Sequence, residues 1–418
     1  MTFESQSPDP ITAAAGVCPD WRSLPGKFFS SDDFFYADLD RVWRRGWLFV
    51  GHDCEIPKPG DYVTFSIGTD PLLVIRGDDG EVRAFHNVCR HRGTLLCHKP
   101  SGTARQLVCP YHQWVYGKDG RLLSCRGMQD GLDTGALGLS PVATENLCGF
   151  IFVNLAKRPD NFGLARELIE PMLRPQGCDR AKVAKAVNYT VNANWKLVWE
   201  NNRECYHCNI SHPQYIKANY DHYNTDDTSS ELMAKIADKS ERSEKTWGRQ
   251  GLAITHRSSG MAPFPDAGNE GWFTINRTPL ADGYVSETMN GQQVAPLMGD
   301  YTDNSVGTLR LRTVPNMWCH ASCDHVVSTR LLPIDKSTTE VRVIWLVDEK
   351  AEEGKDYDLE KVMPFWQLTS EQDWTLCEAA QLGVQSSGYQ PGPYSTHKEY
   401  NVERFVRWYL NQLKKGAE

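Results

Sequence analysis

Hydrophobic and polar positions change rhythm along the chain. The opening MTFESQSPDPITAAAG is polar and reads as mobile. SSDDFFYADLDRVWRRGW then repeats apolar positions at helical spacing, with Ser30 or Ser31 available as a cap and Asp32 and Asp33 suited to the first turn. From Trp47 to about Ala156 the runs become short and alternating: DYVTFSIG, PLLVIRG, EVRAFHNV, RQLVCP and GFIFVNL, with DDG and KDG as hairpin turns. This pattern predicts a small all-β unit. A helix is expected in DNFGLARELIEPMLR, then a strand followed by a helix in NYTVNANWKLVWENNRECYHCNISHP. Residues 215 to 305 are polar and rich in Gly, Ser and Asp, which predicts loops and short elements, of the kind that form lids or binding walls. TLRLRTVP, VVSTRLLP and TEVRVIWLVD alternate as antiparallel strands, and helices follow over 356–382 and 399–414, the latter amphipathic. The fold class is α+β: an N-terminal helical segment over 1–44, an all-β domain over 45–156, and a larger domain over 157–418 with helices packed on an antiparallel sheet.

Composition narrows the setting. At 418 residues, 40% hydrophobic and 23% charged, the chain is too long for one ordinary core, consistent with two or three domains. No apolar run approaches the ~20 residues of a membrane helix, and the N-terminus lacks the basic-then-apolar order of a secretory signal, so a cytoplasmic protein is expected. The net charge of −8, with basic residues scattered, argues against nucleic acid or an anionic membrane as partner and favours a small-molecule substrate. Thirteen cysteines are an odd count without framework spacing, so most are expected to be reduced thiols. Cys18, Cys54, Cys148, Cys178, Cys319 and Cys323 are expected simply to be buried.

One segment breaks that pattern. NVCRHRGTLLCHKPSGTARQLVCPYHQWVYGKDG holds Cys89-x-His91, seventeen residues, then Cys109-x₂-His112. Two thiolates and two imidazoles suit a Rieske [2Fe–2S] centre, in which one iron takes both cysteines and the other both histidines. Arg92-Gly93 and Pro110 supply turns beside the ligands. The rival is a structural zinc, but zinc fingers usually pair Cys with Cys and His with His, whereas each loop here carries one of each. Cys97, His98 and Cys125 lie outside the pattern.

A second constellation follows in NWKLVWENNRECYHCNISHP, where Glu204, His207 and His212 form E-x₂-H-x₄-H ahead of Pro213. On a helix Glu204 and His207 would share a face, and a loosening before Pro213 would let His212 turn back to a shared metal. Two histidines and a carboxylate are the facial set of non-haem Fe(II) sites. LTSEQDWTLCEAAQLG offers Glu371, Asp373 and Glu378 as the acid.

On these two motifs, in this order, the chain resembles the catalytic alpha subunits of the Rieske non-haem iron oxygenases over nearly its whole length. Respiratory Rieske proteins carry extra disulfide cysteines where Thr94 and Tyr111 stand here, which the oxygenase type lacks. The resemblance implies a helix-grip, START-like catalytic domain and makes Asp373 the iron carboxylate beside His207 and His212. It gives Glu204 the role of bridging a cluster histidine of one subunit, matching His112, to His207 of the next, and hence implies a homotrimer; many members have Asp at this place. It further implies O₂ as co-substrate and electrons from NAD(P)H through a separate flavin or iron–sulfur reductase.

The substrate branch is narrower. Glu204, ENNRECYHCNISHP and GYQPGPYS make the chain similar to the glycine betaine, proline betaine and choline oxygenases, which implies N-methyl hydroxylation with release of formaldehyde. A ring-hydroxylating oxygenase of an aromatic acid and a purely electron-transferring Rieske protein are the other readings. A quaternary ammonium calls for aromatic walls. With thirteen tryptophans and sixteen tyrosines such a cage is available, but Trp195, Trp199, Tyr206, Phe264, Trp272 and Phe273 are equally explicable as packing, so no cage residue is named.

Overall fold

A computed structural model of the chain describes residues 9–129, 131–219, 229–254 and 271–415. The opening stretch read as mobile contains a helix, α1 (Pro10–Gly16). Asp9 caps it by accepting the Ile11 and Thr12 amides, and Pro10 stands at its first position, where a missing N–H costs nothing. α2 (Lys27–Ser30) and α3 (Asp32–Asp38) follow, and Ser31 caps α3 as expected, accepting the Asp33 amide at 3.2 Å.

The β unit comprises β1 (Leu48–His52), β2 (Asp61–Ile67), β3 (Asp70–Arg76), β4 (Val82–His86), β5 (Ser101–Thr103), β6 (Leu107–Val108), β7 (Val115–Tyr116), β8 (Leu122–Ser124), β9 (Pro141–Leu147) and β10 (Phe150–Asn154). Seven strands pair antiparallel in the order β1-β10-β9-β4-β3-β2-β5, and β6-β7-β8 form a small separate sheet. The DDG and KDG turns end on Gly80 and Gly120 at φ +84° and +83°, a region that L side chains rarely adopt.

The larger unit continues with α4 (Gly163–Leu173), β11 (Ala181–Val191), α5 (Trp195–Asn202), α6 (Cys208–Ser211), α7 (Pro213–Ala218), α8 (Ser230–Arg249), β12 (Phe273–Thr278), β13 (Thr308–Thr313), β14 (Met317–Ala321), β15 (Val326–Asp335), β16 (Thr338–Asp348), α9 (Leu359–Val362), α10 (Pro364–Val384) and α11 (Tyr400–Lys414). Six strands form one antiparallel sheet, β11-β16-β15-β14-β13-β12. Residues 215–305 are therefore not only loops: they hold the 20-residue α8 and the edge strand β12. α8 escaped the hydrophobic pattern because only Ile236, Ser240 and Trp247 are buried along it. The i,i+4 pairs Glu231–Lys235, Asp238–Arg242 and Glu241–Lys245 support its solvated face instead. Phe264 lies outside the described residues.

Alternation divides the side chains of this sheet between two cores. Leu309, Leu311, Met317 and Cys319 pack with α4, while Trp318, Val327, Val343 and Trp345 join the core under α5, α10 and α11. The N-terminal helices are fastened to that second core by a buried charge. Asp38 takes the Lys196 ammonium, the Trp195 indole N–H at 2.9 Å and the Tyr409 hydroxyl at 2.7 Å. The two large sheets meet along β1. Asn316 holds both the N–H and the C=O of Phe49, at 2.9 and 2.8 Å, and His52 Nε2 lies 2.7 Å from Ser328 Oγ.

Candidate metal centres and active site

Two hairpin loops of the β unit carry the first cluster of donors, and they share one backbone pattern. The Cys89 amide donates to Thr94 O and the Gly93 amide to Cys89 O. Twenty residues on, the Cys109 amide donates to Trp114 O and the Gln113 amide to Cys109 O. The fourth residue after each cysteine has positive φ, +77° at Gly93 and +58° at Gln113. Each loop thereby turns back and presents its Cys and His on one side. Cys89 and Cys109 are buried, His91 and His112 half-buried, and the histidines face each other with their Nδ1 atoms 3.1 Å apart. Trp114 stacks on His91 at 4.9 Å, and the Tyr116 hydroxyl lies 3.3 Å from Cys89 Sγ while accepting the Arg90 N–H. Two buried sulfurs, two converging imidazoles and a hydroxyl beside a sulfur fit a Rieske [2Fe–2S] cluster.

The second centre is built differently from the helical expectation. α5 ends at Asn202, so Glu204 and His207 are not on one helix. A turn brings them together instead. The Glu204 carboxylate accepts the Tyr206 amide and lies 2.5 Å from His207 Nδ1, and a disulfide joins Cys205 to Cys208 across the same turn. His212 stands between the one-turn helix α6 and α7, with φ −130° and ψ 66°, in keeping with the bias of a residue before proline away from helix.

His207 and His212 both turn Nε2 toward Asp373 on α10. Asp373 Oδ1 lies 3.2 Å from His207 Nε2 and 2.8 Å from His212 Nε2, while His212 Nδ1 faces Gln372 Oε1 at 2.8 Å. Each ring thus has one nitrogen directed inward and the other held from outside, the arrangement that orients metal-bound imidazoles. Burial opposes a charged His207, yet Asp373 and Glu204 outweigh it and push its pKa up to about 10. Those same histidines hold the Asp373 carboxyl below its ordinary value against the effect of burial. The site is tuned for positive charge between its carboxylates, and its donors fit a mononuclear iron. The other two candidate acids point elsewhere: Glu371 accepts from Gln367 and Tyr189, and Glu378 from Asn192. Cys208 Sγ is within 4.8 Å of the histidine nitrogens, but its sulfur belongs to the disulfide.

A pocket opens on this centre. Besides Glu204, His207, His212 and Asp373, it is lined by Asn202, Tyr215, Arg312, His320, Trp366 and Thr369. Trp366, Thr369 and Asp373 fall at i, i+3 and i+7 on α10, and Tyr215 is one turn past His212, so the helical periods that supply two donors also supply two aromatic walls. Tyr215 and Trp366 meet nearly edge to face, with centroids 6.0 Å apart. Of the aromatics weighed from sequence, those among the described residues lie elsewhere: Trp195 and Trp199 are core, Tyr206 is exposed, and Trp272 and Phe273 belong to the other core. Tyr215, Trp366 and Arg312 of β13 were missed. The available signal was Arg alternating with Leu in TLRLRT. The C-x-x-C spacing of Cys205 and Cys208 was also overlooked; the other eleven cysteines are free.

Comparison with known proteins places the chain in a family. The Rieske [2Fe–2S] domain model matches residues 46–136, and the model for the ring hydroxylating alpha subunit (catalytic domain) matches residues 178–415. The chain is 40% identical to the glycine betaine monooxygenase oxygenase subunit of Chromohalobacter salexigens, covering 97% of this chain and 90% of that one. It is 32% identical to the carnitine monooxygenase oxygenase subunit of Escherichia coli K12, over 46% of this chain and 53% of the relative. In fold it resembles a quaternary ammonium Rieske monooxygenase solved with L-carnitine, with a TM-score of 0.68 at 20% identity, covering 96% of this chain and 98% of that one. A naphthalene 1,2-dioxygenase with indole bound gives 0.62 at 22%, covering 95% and 93%. The chain therefore belongs to the Rieske ring-hydroxylating oxygenase family, as its catalytic alpha subunit.

Proposed function

We propose that this oxygenase hydroxylates an N-methyl group of a quaternary ammonium compound, glycine betaine first and proline betaine next, and so demethylates it. The observation that carries the reading is the aromatic pair Tyr215 and Trp366 in the pocket over His207, His212 and Asp373. A cation that cannot donate hydrogen bonds is held by ring faces, each worth about 0.5–2 kcal/mol. The identity to glycine betaine monooxygenase oxygenase subunits supports the same substrate.

As a family member the protein carries a Rieske [2Fe–2S] cluster and a mononuclear iron, takes electrons from a separate reductase and oxidises a small molecule. Cys89, His91, Cys109 and His112 would hold the cluster; His207, His212 and Asp373 would hold the iron. Bound there, these groups supply electron delivery and the reduction of O₂. Two electrons from NAD(P)H and two protons reduce one oxygen atom to water while the other enters a C–H bond of the N-methyl group. The N-hydroxymethyl product then breaks its C–N bond, releasing formaldehyde, a proton and the tertiary amine. Glu204 and Gln372 fix the iron-site imidazoles through their Nδ1 atoms, and Tyr215 and Trp366 keep water from the methyl groups.

Glu204 is assigned the bridge to the cluster histidine of a neighbouring subunit in a homotrimer. Its contact with His207 supplies one half of that bridge. Tyr206 on the same turn and Ile210 on α6 are 53% and 91% exposed, and Tyr111 on the cluster loop and Val108 on β6 are 54% and 48% exposed, which suits two apolar surfaces that meet between subunits. The division into 1–44, 45–156 and 157–418 is retained as part of this reading. With reductase, NADH and O₂, glycine betaine should yield formaldehyde in proportion to NADH consumed. If quaternary amines give none while an aromatic acid is hydroxylated, the reading is wrong.

A further inference from the structure

A buried guanidinium needs a counter-charge, because an isolated ion in the interior is far costlier than in water. β13 carries two such groups. Its alternation sends Leu309 and Leu311 into one core and turns Arg310 and Arg312, 1% and 3% exposed, to the opposite face. Arg310 is provided for. It donates to Asn219 Oδ1 at 2.6 Å, lies over the Tyr215 ring, and is the main favourable charge on the buried Glu287 carboxylate.

Arg312 is not. Its Nε donates to the neutral Asn202 Oδ1 at 3.0 Å, and among the described residues no carboxylate lies within 4.0 Å of it. Burial first, and then repulsion from Arg310, bring its pKa down to about 10, with only weaker opposition from Tyr215 and Glu287. Arg312 lines the same pocket as His207, His212 and Asp373.

We propose that Arg312 binds the carboxylate of the substrate, so that this pocket selects a short zwitterion, with its anionic end on Arg312 and its methylammonium end against Tyr215 and Trp366. The proposal rests on the quaternary ammonium reading and narrows it. A planar guanidinium matches a carboxylate in two parallel hydrogen bonds, and the substrate then supplies the counter-ion that the protein omits. Choline has the same cation with a hydroxyl in place of the carboxylate and leaves Arg312 buried and unpaired. A site built for a missing polar partner rejects such an analogue strongly.

The test is calorimetric binding of glycine betaine, choline and benzoate to the anaerobic holoenzyme, in wild type, Arg312→Gln and Arg312→Lys, with cluster absorbance as the check on folding and formaldehyde as a separate readout. Wild type should bind glycine betaine at least about thirty-fold tighter than choline, and Arg312→Gln should erase that preference by weakening betaine alone, with Arg312→Lys in between. Arg312→Gln binding betaine as tightly as wild type, with cluster absorbance intact, overturns the proposal, as does wild type binding choline and betaine equally. Should Arg312→Gln lose the cluster, Arg312→Lys and the wild-type preference decide. Arg312-dependent binding of carboxylates with benzoate hydroxylated and no formaldehyde formed would keep the anchor and remove the betaine reading. Formaldehyde formed by Arg312→Gln at an unchanged KM would do the reverse.

Discussion

Asp373 is the point on which the proposed iron site turns, because its one oxygen lies within 3.2 Å of both inward histidine nitrogens. Without it two imidazoles remain, a donor set that has lost its inward carboxylate. Asp373→Ala should therefore abolish iron binding while the cluster, held by loops of a different sheet, keeps its visible spectrum. Metal analysis beside the absorption spectrum checks this, and full iron content in the variant would assign the carboxylate elsewhere. Glu371 and Glu378 give the reason in negative form, since both are occupied by other partners on their own sides of the same helix.

Elements meet in this protein through single polar side chains set in apolar contacts. His52, at the end of β1, is fully buried between the two large sheets, packed on Phe150 with its Nε2 near Ser328 Oγ. Burial, opposed by Glu55, lowers its pKa to about 4. Between pH 6.5 and about 4 the unfolded chain therefore binds a proton here that the native protein does not. Stability falls as pH falls through that window, by up to about 3 kcal/mol from this group. Wild type should lose denaturation midpoint more steeply than His52→Gln on going from pH 7 to pH 4.5. Parallel slopes for the two proteins would show that the junction does not carry this sensitivity.

At the scale of the molecule, the two donor clusters sit in separate parts of one chain. One lies at the tips of hairpins in the β unit, the other between the sheet and α10 of the larger unit. If electrons pass between subunits, a subunit lacking the cluster and one lacking iron should complement each other. Cys89→Ser and Asp373→Ala proteins should each be inactive alone, and co-assembled from one cell they should regain formaldehyde formation. Mixed assemblies that stay inactive, with each subunit retaining its remaining metal, would mean that transfer runs within a chain.

Much of this was legible in the order of residues because it depends on local chemistry. The C-x-H and C-x-x-H loops carry their turns beside their ligands, so Gly93 and the cysteines announce a cluster without any knowledge of the sheet. Strand alternation and the amphipathic α11 likewise follow from burial of one face. The polar α8 was not legible, since pairs of charges on a solvated helix leave the same composition as a loop. The turn that replaces a helix between Glu204 and His207 was also hidden, because a helical spacing and a capped turn both bring residues three apart into contact. Arg312 marks the limit most sharply: two arginines alternating with leucines read as the wet side of a strand. Among the described residues, the packing of α10, α7 and the end of α5 over that side makes it an interior, and turns an ordinary surface charge into a buried one waiting for an anion.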